Sequence, residues 1–260
     1  MVYDCNMKQN KNPIVIYWSP FMSPAAPVID WTLLYPEPKN LFSDLVKDKT
    51  KHSGKDSYFA CPAVTNKFKH IFVFFNSLKS SHRYDYTEGK EELELLNNYG
   101  LHLQKSRVSS LNKGPVLLYS LSYIFFSEES LDAYFTPPMF HEQGYTKYAS
   151  AMPGEFNIGE WFRPYNFEVQ VWNNKGEIHI EENEPIFYVE FKTDRPIILK
   201  KFECNEVLRL YAESNAISSF IFGRGESLLK KYKRFKDVGF REKILTEIKK
   251  NLIDQEPHRF

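Results

Sequence analysis

Residues 167–191 read FEVQVWNNKGEIHIEENEPIFYVEF, and this stretch decides the fold class of the chain. Large apolar residues alternate with polar ones in three short runs, at residues 167–171, 178–180 and 187–191. Side chains two apart point to the same face of a β-strand, so each run predicts a strand with one buried face. Asn, Gly and Pro residues typical of turns separate the runs. The segment therefore predicts consecutive strands joined by tight turns, the first two of them as a hairpin.

Strand signals continue on both sides of this segment. Residues 71–75, IFVFF, form an apolar run typical of a strand buried on both faces. Residues 116–126 alternate over their whole length, and residues 196–202 supply a further candidate strand. Phe, Tyr and Trp make up 16% of the chain, and such rings favour pleated surfaces. The sequence predicts a mainly β protein with an antiparallel β-sandwich or jelly-roll-like core.

Helices are expected at the periphery of this core. Residues 90–98 and 205–214 each carry a short helical pattern. In the last forty residues, apolar side chains lie at helical spacing in two groups separated by Gly239: Leu228, Leu229, Tyr232 and Phe235, then Phe240, Ile244, Ile248 and Leu252. We therefore expect a β-rich core over residues 1–220 and a C-terminal helical pair over 221–260 that packs on it.

Proline is concentrated near the N-terminus, where residues 13–38 hold six of the fifteen prolines, interleaved with Trp and other large rings. Proline disfavours helices and central strands, while large rings favour burial. This combination predicts an extended arm within residues 1–40 that packs over the core. A proline-rich ligand for a recognition domain is the alternative interpretation.

Charge and cysteine content exclude several classes of protein. The chain has 34 Lys and Arg against 33 Asp and Glu, which argues against a polybasic nucleic-acid coat. Its three cysteines show no C-x-x-C spacing, so neither a disulfide framework nor a zinc knuckle is indicated. The N-terminus does not resemble a secretory signal, and the longest apolar-rich run is too short to span a bilayer. We expect a cytoplasmic protein with no membrane partner.

The hexapeptide GEWFRP, residues 159–164, is the most distinctive candidate for a binding surface. Trp161 and Arg163 would project from one face of an extended segment, where the guanidinium could bind an anionic group beside the indole. Trp172 completes the predicted contact surface. In the structural alternative, Trp161 anchors the core and Arg163 pairs with Glu160 or another nearby carboxylate.

A metal site could be built around His179 and Glu181, which share one face of a predicted strand with Glu177. Ligation of the two-His-one-carboxylate type needs a second His from a neighbouring strand. A solvated outer face is the alternative. The sequence predicts no cofactor, and iron or another divalent metal enters only if this site forms.

The C-terminal region suggests two weaker binding sites. Residues 223–227, GRGES, open a helix whose amides could hold an anion, but they lack the Lys-Ser/Thr pair of a phosphate loop. Basic residues surround Tyr232 and Phe235, so residues 224–250 could bind nucleic acid weakly. An amphipathic helix docked on the core would show the same pattern. No catalytic triad, nucleophile elbow or paired-carboxylate signature is evident.

Several motifs are shared with a known family. They are Gly159-Glu160-Trp161, Pro164-Tyr165-Asn166-Phe167 leading into Trp172, and Glu184-Pro185-Ile186-Phe187, with Cys61-Pro62 upstream. In these the chain resembles an uncharacterised domain family of bacterial and tailed-phage genomes, domain of unknown function 6065. Asn183 stands where the family has a turn glycine, and Asn also tolerates the left-handed backbone, so we expect the turn to persist. The resemblance implies a β-rich accessory protein and gives no catalytic residue.

The leading expectation for function is a non-catalytic accessory protein of a phage or bacterium that binds an unknown protein or small molecule. It would act in the cytoplasm, which is the host cytoplasm if a phage encodes it. One alternative is a metal-dependent, oxygenase-like enzyme on a jelly-roll scaffold, using His179 and Glu181. The other is a structural component of the virion.

Overall fold

The computed structural model describes residues 12–21, 35–46, 61–85, 94–99, 103–108, 115–216, 220–221, 224–225, 227–237, 239–253 and 258–259. The strands are β1 (Ile14–Phe21), β2 (Lys39–Asn40), β3 (Ile71–Phe75), β4 (Ser80–Asp85), β5 (Glu94–Tyr99), β6 (Leu103–Val108), β7 (Pro115–Ser127), β8 (Asp132–Thr136), β9 (Ala149–Ala151), β10 (Gly154–Asn157), β11 (Pro164–Val171), β12 (Lys175–Ile180), β13 (Pro185–Phe191), β14 (Ile197–Lys201), β15 (Phe220–Ile221), β16 (Arg224–Gly225) and β17 (His258–Arg259). The helices are α1 (Leu41–Val46), α2 (Pro62–Phe68), a 3-10 helix (Tyr145–Lys147), α3 (Glu206–Ala216), α4 (Leu228–Asp237) and α5 (Phe240–Lys250).

Two large sheets form a β-sandwich. The first has the strand order β17-β14-β1-β7-β11-β9, with β6 also paired to β7, and the second has the order β10-β8-β13-β3-β2. A small sheet, β12-β4-β5, closes one side of the same core, to which it contributes Tyr84, Ile178 and Ile180. The predicted mainly β, sandwich-like fold is confirmed. One pairing is parallel, between β1 and β14, whereas a jelly roll is antiparallel throughout.

Aromatic rings fill the centre of the sandwich. Phe74 from the second sheet stacks on Phe187 at a ring distance of 5.0 Å, and Tyr123 from the first sheet meets Phe74 edge-on at 4.8 Å. Phe125 also meets Phe74 edge-on, at 5.2 Å. All four residues are fully or almost fully buried. Edge-on and stacked rings add about 0.5–1.5 kcal/mol per pair to the burial of their area.

Helices cover the outer face of each sheet, which makes a four-layer molecule. Helices α3, α4 and α5 pack on the first sheet through a second apolar cluster, which includes Phe126 of β7 and Ile244 and Ile248 of α5. Helices α1 and α2 pack on the second sheet, where Val73 points to them. Alternate residues of β3 therefore enter different layers, as the sequence predicted for a strand buried on both faces. The predicted helices at 205–214 and in the C-terminal region are confirmed.

The predicted hairpin over residues 167–180 is wrong. After Trp172 the chain leaves the first sheet, and β12 pairs with β4 in the small sheet instead of with β11. It then changes sheet again, because β13 pairs with β3 and β8. Turn residues reverse the chain direction locally, but distant strands supply the pairing partner.

Two other expectations are wrong for the residues that the structure describes. Residues 14–21 of the predicted arm form β1, which lies between β14 and β7. Pro20 is tolerated there because the pairing with β14 ends at Trp18, before the proline. Residues 94–98 of the predicted helix at 90–98 belong to β5, which is paired with β4. Residues 22–34 of the arm lie outside the described residues.

Within the described parts of the chain, no helix is both long and apolar enough to cross a membrane.

The ring cluster predicts a large loss of stability when one of its central rings is removed. Phe74→Ala should lower the free energy of unfolding by about 3–5 kcal/mol, because it leaves a cavity among the surrounding rings. Urea denaturation followed by tryptophan fluorescence measures this change. Leu210→Ala is the matched control, since Leu210 is exposed on α3 and its loss should cost less than about 0.5 kcal/mol. Equal effects of the two substitutions would contradict the assignment of Phe74 to the central cluster.

Candidate functional site

A tight turn between β12 and β13 forms one wall of the candidate site. Its backbone closes through a 3.2 Å hydrogen bond from the Glu184 amide to the Glu181 carbonyl. Asn183 has φ 61°, in the left-handed region that Asn tolerates better than most residues. The expectation of a left-handed turn at Asn183 is therefore confirmed.

The carboxylate of Glu184 joins this turn to a second wall, the loop at residues 142–147. One oxygen of Glu184 accepts the Gly144 N–H at 2.7 Å, and the other accepts the Glu181 N–H at 2.6 Å. Hydrogen bonds to a carboxylate are stronger than those between neutral groups. Both oxygens thus hold the two walls together.

Asn76, at the end of β3, supports the turn from beneath. Its side-chain nitrogen donates to the Glu181 backbone carbonyl at 3.1 Å, and its backbone carbonyl accepts the Asn183 N–H at 2.9 Å. The backbone N–H of Asn76 also donates to the Glu184 backbone carbonyl at 2.8 Å. A buried residue of the sandwich therefore fixes the position of the turn.

The 142–147 loop is anchored to the protein on both sides of Gln143. On one side, the His141 ring contacts the Tyr188 hydroxyl at 2.5 Å and the Asp44 carboxylate at 3.1 Å. On the other side, the buried Tyr145 hydroxyl donates to the Ile186 carbonyl at 2.6 Å. Both walls are thus held in place by groups of the core.

An open cleft of about 640 Å³ lies between the two walls. We call it the acidic cleft, and its lining residues are Glu142, Gln143, Gly144, Thr146, Lys147, Glu181 and Glu184. The lining therefore includes three carboxylates, those of Glu142, Glu181 and Glu184, and one ammonium group, that of Lys147. Glu181 also forms an ion pair with Lys79 at 3.0 Å, in which both side chains are largely exposed. The cleft is large enough for a small molecule or for one side chain of a partner.

Gln143 is the unusual residue of the cleft. It is only 7% exposed, yet neither its side-chain oxygen nor its side-chain nitrogen has a hydrogen-bond partner among the residues that the structure describes. Leaving a polar group buried without a partner typically costs about 1–3 kcal/mol. Neither polar atom of this side chain is accessible from the open cleft.

An exposed apolar surface adjoins the cleft. Tyr148 directly follows Lys147 of the cleft, and its carbonyl accepts the Trp172 N–H at 2.9 Å. Tyr148 is 36% exposed, Met152 36% and Trp172 49%. In the register of β9 and β11, residue 148 lies opposite residue 172, and residue 152 lies opposite residue 168. Opposite residues, and residues an even number of positions apart, point to the same face of a strand pair, so the three side chains share one face. We call these three residues the Trp172 face.

Trp161 and Arg163 come together as the sequence predicted, but in another part of the molecule. The Arg163 guanidinium lies over the Trp161 ring at 4.7 Å. Trp161 also meets Tyr232 of α4 edge-on at 5.4 Å. Trp172 lies at the opposite end of β11, an eight-residue strand, so roughly 25 Å of strand separates it from this pair. The structure therefore does not place the three predicted residues on one surface.

The neighbouring Glu160 ties α4 to the sandwich. Its carboxylate accepts hydrogen bonds from the Lys236 ammonium at 2.5 Å and the Tyr232 hydroxyl at 2.7 Å. These two hydrogen bonds hold the pKa of Glu160 below its ordinary value. Gly159 precedes it because a side chain there would lie 1.9 Å from the Glu129 carbonyl. The hexapeptide thus has a structural role beside its predicted binding role.

His179 lies on the exposed face of β12, and Glu181, the first residue after that strand, is exposed as well. His179 contacts Glu177 at 3.4 Å, and Ser81 of β4 is its cross-strand neighbour. Among the described residues, no group of three or more His, Cys, Asp or Glu side chains is placed to hold a metal ion. The metal site stays a prediction.

Several lysines of the C-terminal helices contact groups of the protein itself. Lys236 forms an ion pair with Glu160, and Lys249 forms one with Glu128 at 2.9 Å. Glu128 is the first residue of the loop that follows β7. Lys231 is buried and donates to the Ser214 carbonyl at 2.7 Å. These lysines hold the helices on the sheet, and weak nucleic-acid binding by residues 224–250 stays a prediction.

Comparison of the chain with protein-family models, with curated proteins and with solved structures gives no match.

Sequence reasoning missed the acidic cleft as a unit. The sequence Glu181-Glu182-Asn183-Glu184 shows an acidic turn, and His141-Glu142-Gln143-Gly144 shows a polar loop. Nothing in either motif indicates that the two lie next to each other, although a hydrogen bond joins Gly144 to Glu184, 40 positions further along the chain. The burial of Gln143 has no sequence signal, since Gln is usually an exposed residue.

The turn predicts opposite effects for two substitutions of one residue. Asn183→Gly should leave the free energy of unfolding unchanged within about 1 kcal/mol, because glycine adopts positive φ freely. Asn183→Val should lower it by about 1–2 kcal/mol, because a β-branched residue is strained there. Urea denaturation of both variants measures the difference, and equal stability of the two would show that the positive φ is not required.

Glu160 predicts part of the acid sensitivity of the fold. The pKa of Glu160 is lower in the folded chain than in the unfolded chain, where it is about 4.3. The ionised carboxylate therefore stabilises the fold at pH values above the unfolded pKa. This stabilisation is lost as the pH falls through the folded pKa. Glu160→Gln should therefore make the loss of stability between about pH 5 and pH 3 shallower. Denaturation midpoints across that range measure the slope. Glu155→Gln, at an exposed site, is the control and should keep the wild-type slope.

Proposed function

We propose that this is a non-catalytic binding protein that takes a positively charged ligand in the acidic cleft. The observation that carries the proposal is the charge of the cleft lining, in which three glutamates, Glu142, Glu181 and Glu184, accompany one lysine, Lys147.

The charge of the lining supports a cationic ligand. Glu142 and Glu181 are exposed at the cleft, while Lys147 is the one basic residue among its lining residues. The carboxylate of Glu184 is already held by two backbone N–H groups, so it contributes negative charge without needing to move. Opposite charge at such a site raises both the affinity and the association rate.

A binding role also agrees with the interior of the sandwich. Stacked rings fill the interior of the sandwich around Phe74 and Phe187, so a ligand would bind at the surface of the protein and not between the sheets.

Other expectations from the sequence stay predictions. These are the role of Trp161 and Arg163 in binding an anionic group, the phage or bacterial origin, the cytoplasmic location and the virion role. The metal-dependent enzyme with His179 and Glu181 is a separate alternative. Stoichiometric iron, manganese or zinc in the purified protein would favour that enzyme over the present proposal.

The test compares cationic and anionic probes that share a four-carbon chain. Calorimetric titration with n-butylammonium, n-butylguanidinium and butyrate should show binding of the two cations only. Glu142→Gln and Glu181→Gln should each weaken cation binding by about threefold to tenfold, since each removes one nearby charge. Added salt should weaken it as well.

Glu155→Gln is the matched control, because Glu155 is an exposed glutamate that does not line the cleft. It should bind the cations as the wild type does. Equal binding of butyrate, or cation binding that none of the glutamate variants changes, would refute the proposal.

A further inference from the structure

We draw no further inference here: the strongest candidate, the exposed apolar surface patch that we call the Trp172 face, carries nothing because no feature among the described residues shows what covers it.

Discussion

The packing of aromatic rings between the two large sheets is the interaction on which the rest of the structure depends. Phe74 and Phe187 stack within one sheet, and Tyr123 and Phe125 from the other sheet meet Phe74 edge-on. Rings are bulky and rigid, so they set both the spacing of the sheets and their lateral position. The strands that carry these rings continue into the turns and loops at the surface, and the position of those loops follows from the packing.

The acidic cleft illustrates this dependence. Asn76 follows β3, two residues after Phe74, and it holds the turn at Glu181 and Asn183 through backbone and side-chain hydrogen bonds. Tyr145 reaches into the core from the opposite loop, and Glu184 joins the two walls. The site is thus organised before any ligand arrives, which lowers the conformational entropy that binding would cost. Buried polar atoms without a hydrogen-bond partner among the described residues also occur here, on the side chains of Asn76 and Gln143.

Charged residues elsewhere serve mainly to fasten the layers to one another. Glu160 receives hydrogen bonds from Lys236 and Tyr232, and Glu128 contacts both Lys249 of α5 and Tyr17 of β1. The hydrogen bonds from Tyr17 and Lys249 hold the pKa of Glu128 below its ordinary value, which identifies it as a carboxylate stabilised by the fold. The basic C-terminal helices are therefore amphipathic helices docked on the sheet, whatever further partner they have.

The sequence by itself determined the alternation of buried and exposed residues, and with it the mainly β class, the strands at 71–75 and 116–126, the C-terminal helices and the left-handed turn at Asn183. These features depend on residues near one another in the chain, so periodicity and turn chemistry specify them. Only the tertiary structure decided which strands pair, why residues 14–21 and 94–99 are strands, and that Trp172 lies far from Trp161. It also decided that Gln143 is buried beside Glu181 and Glu184. Strand pairing and burial depend on which distant surfaces meet, and a local pattern carries no information about its partner.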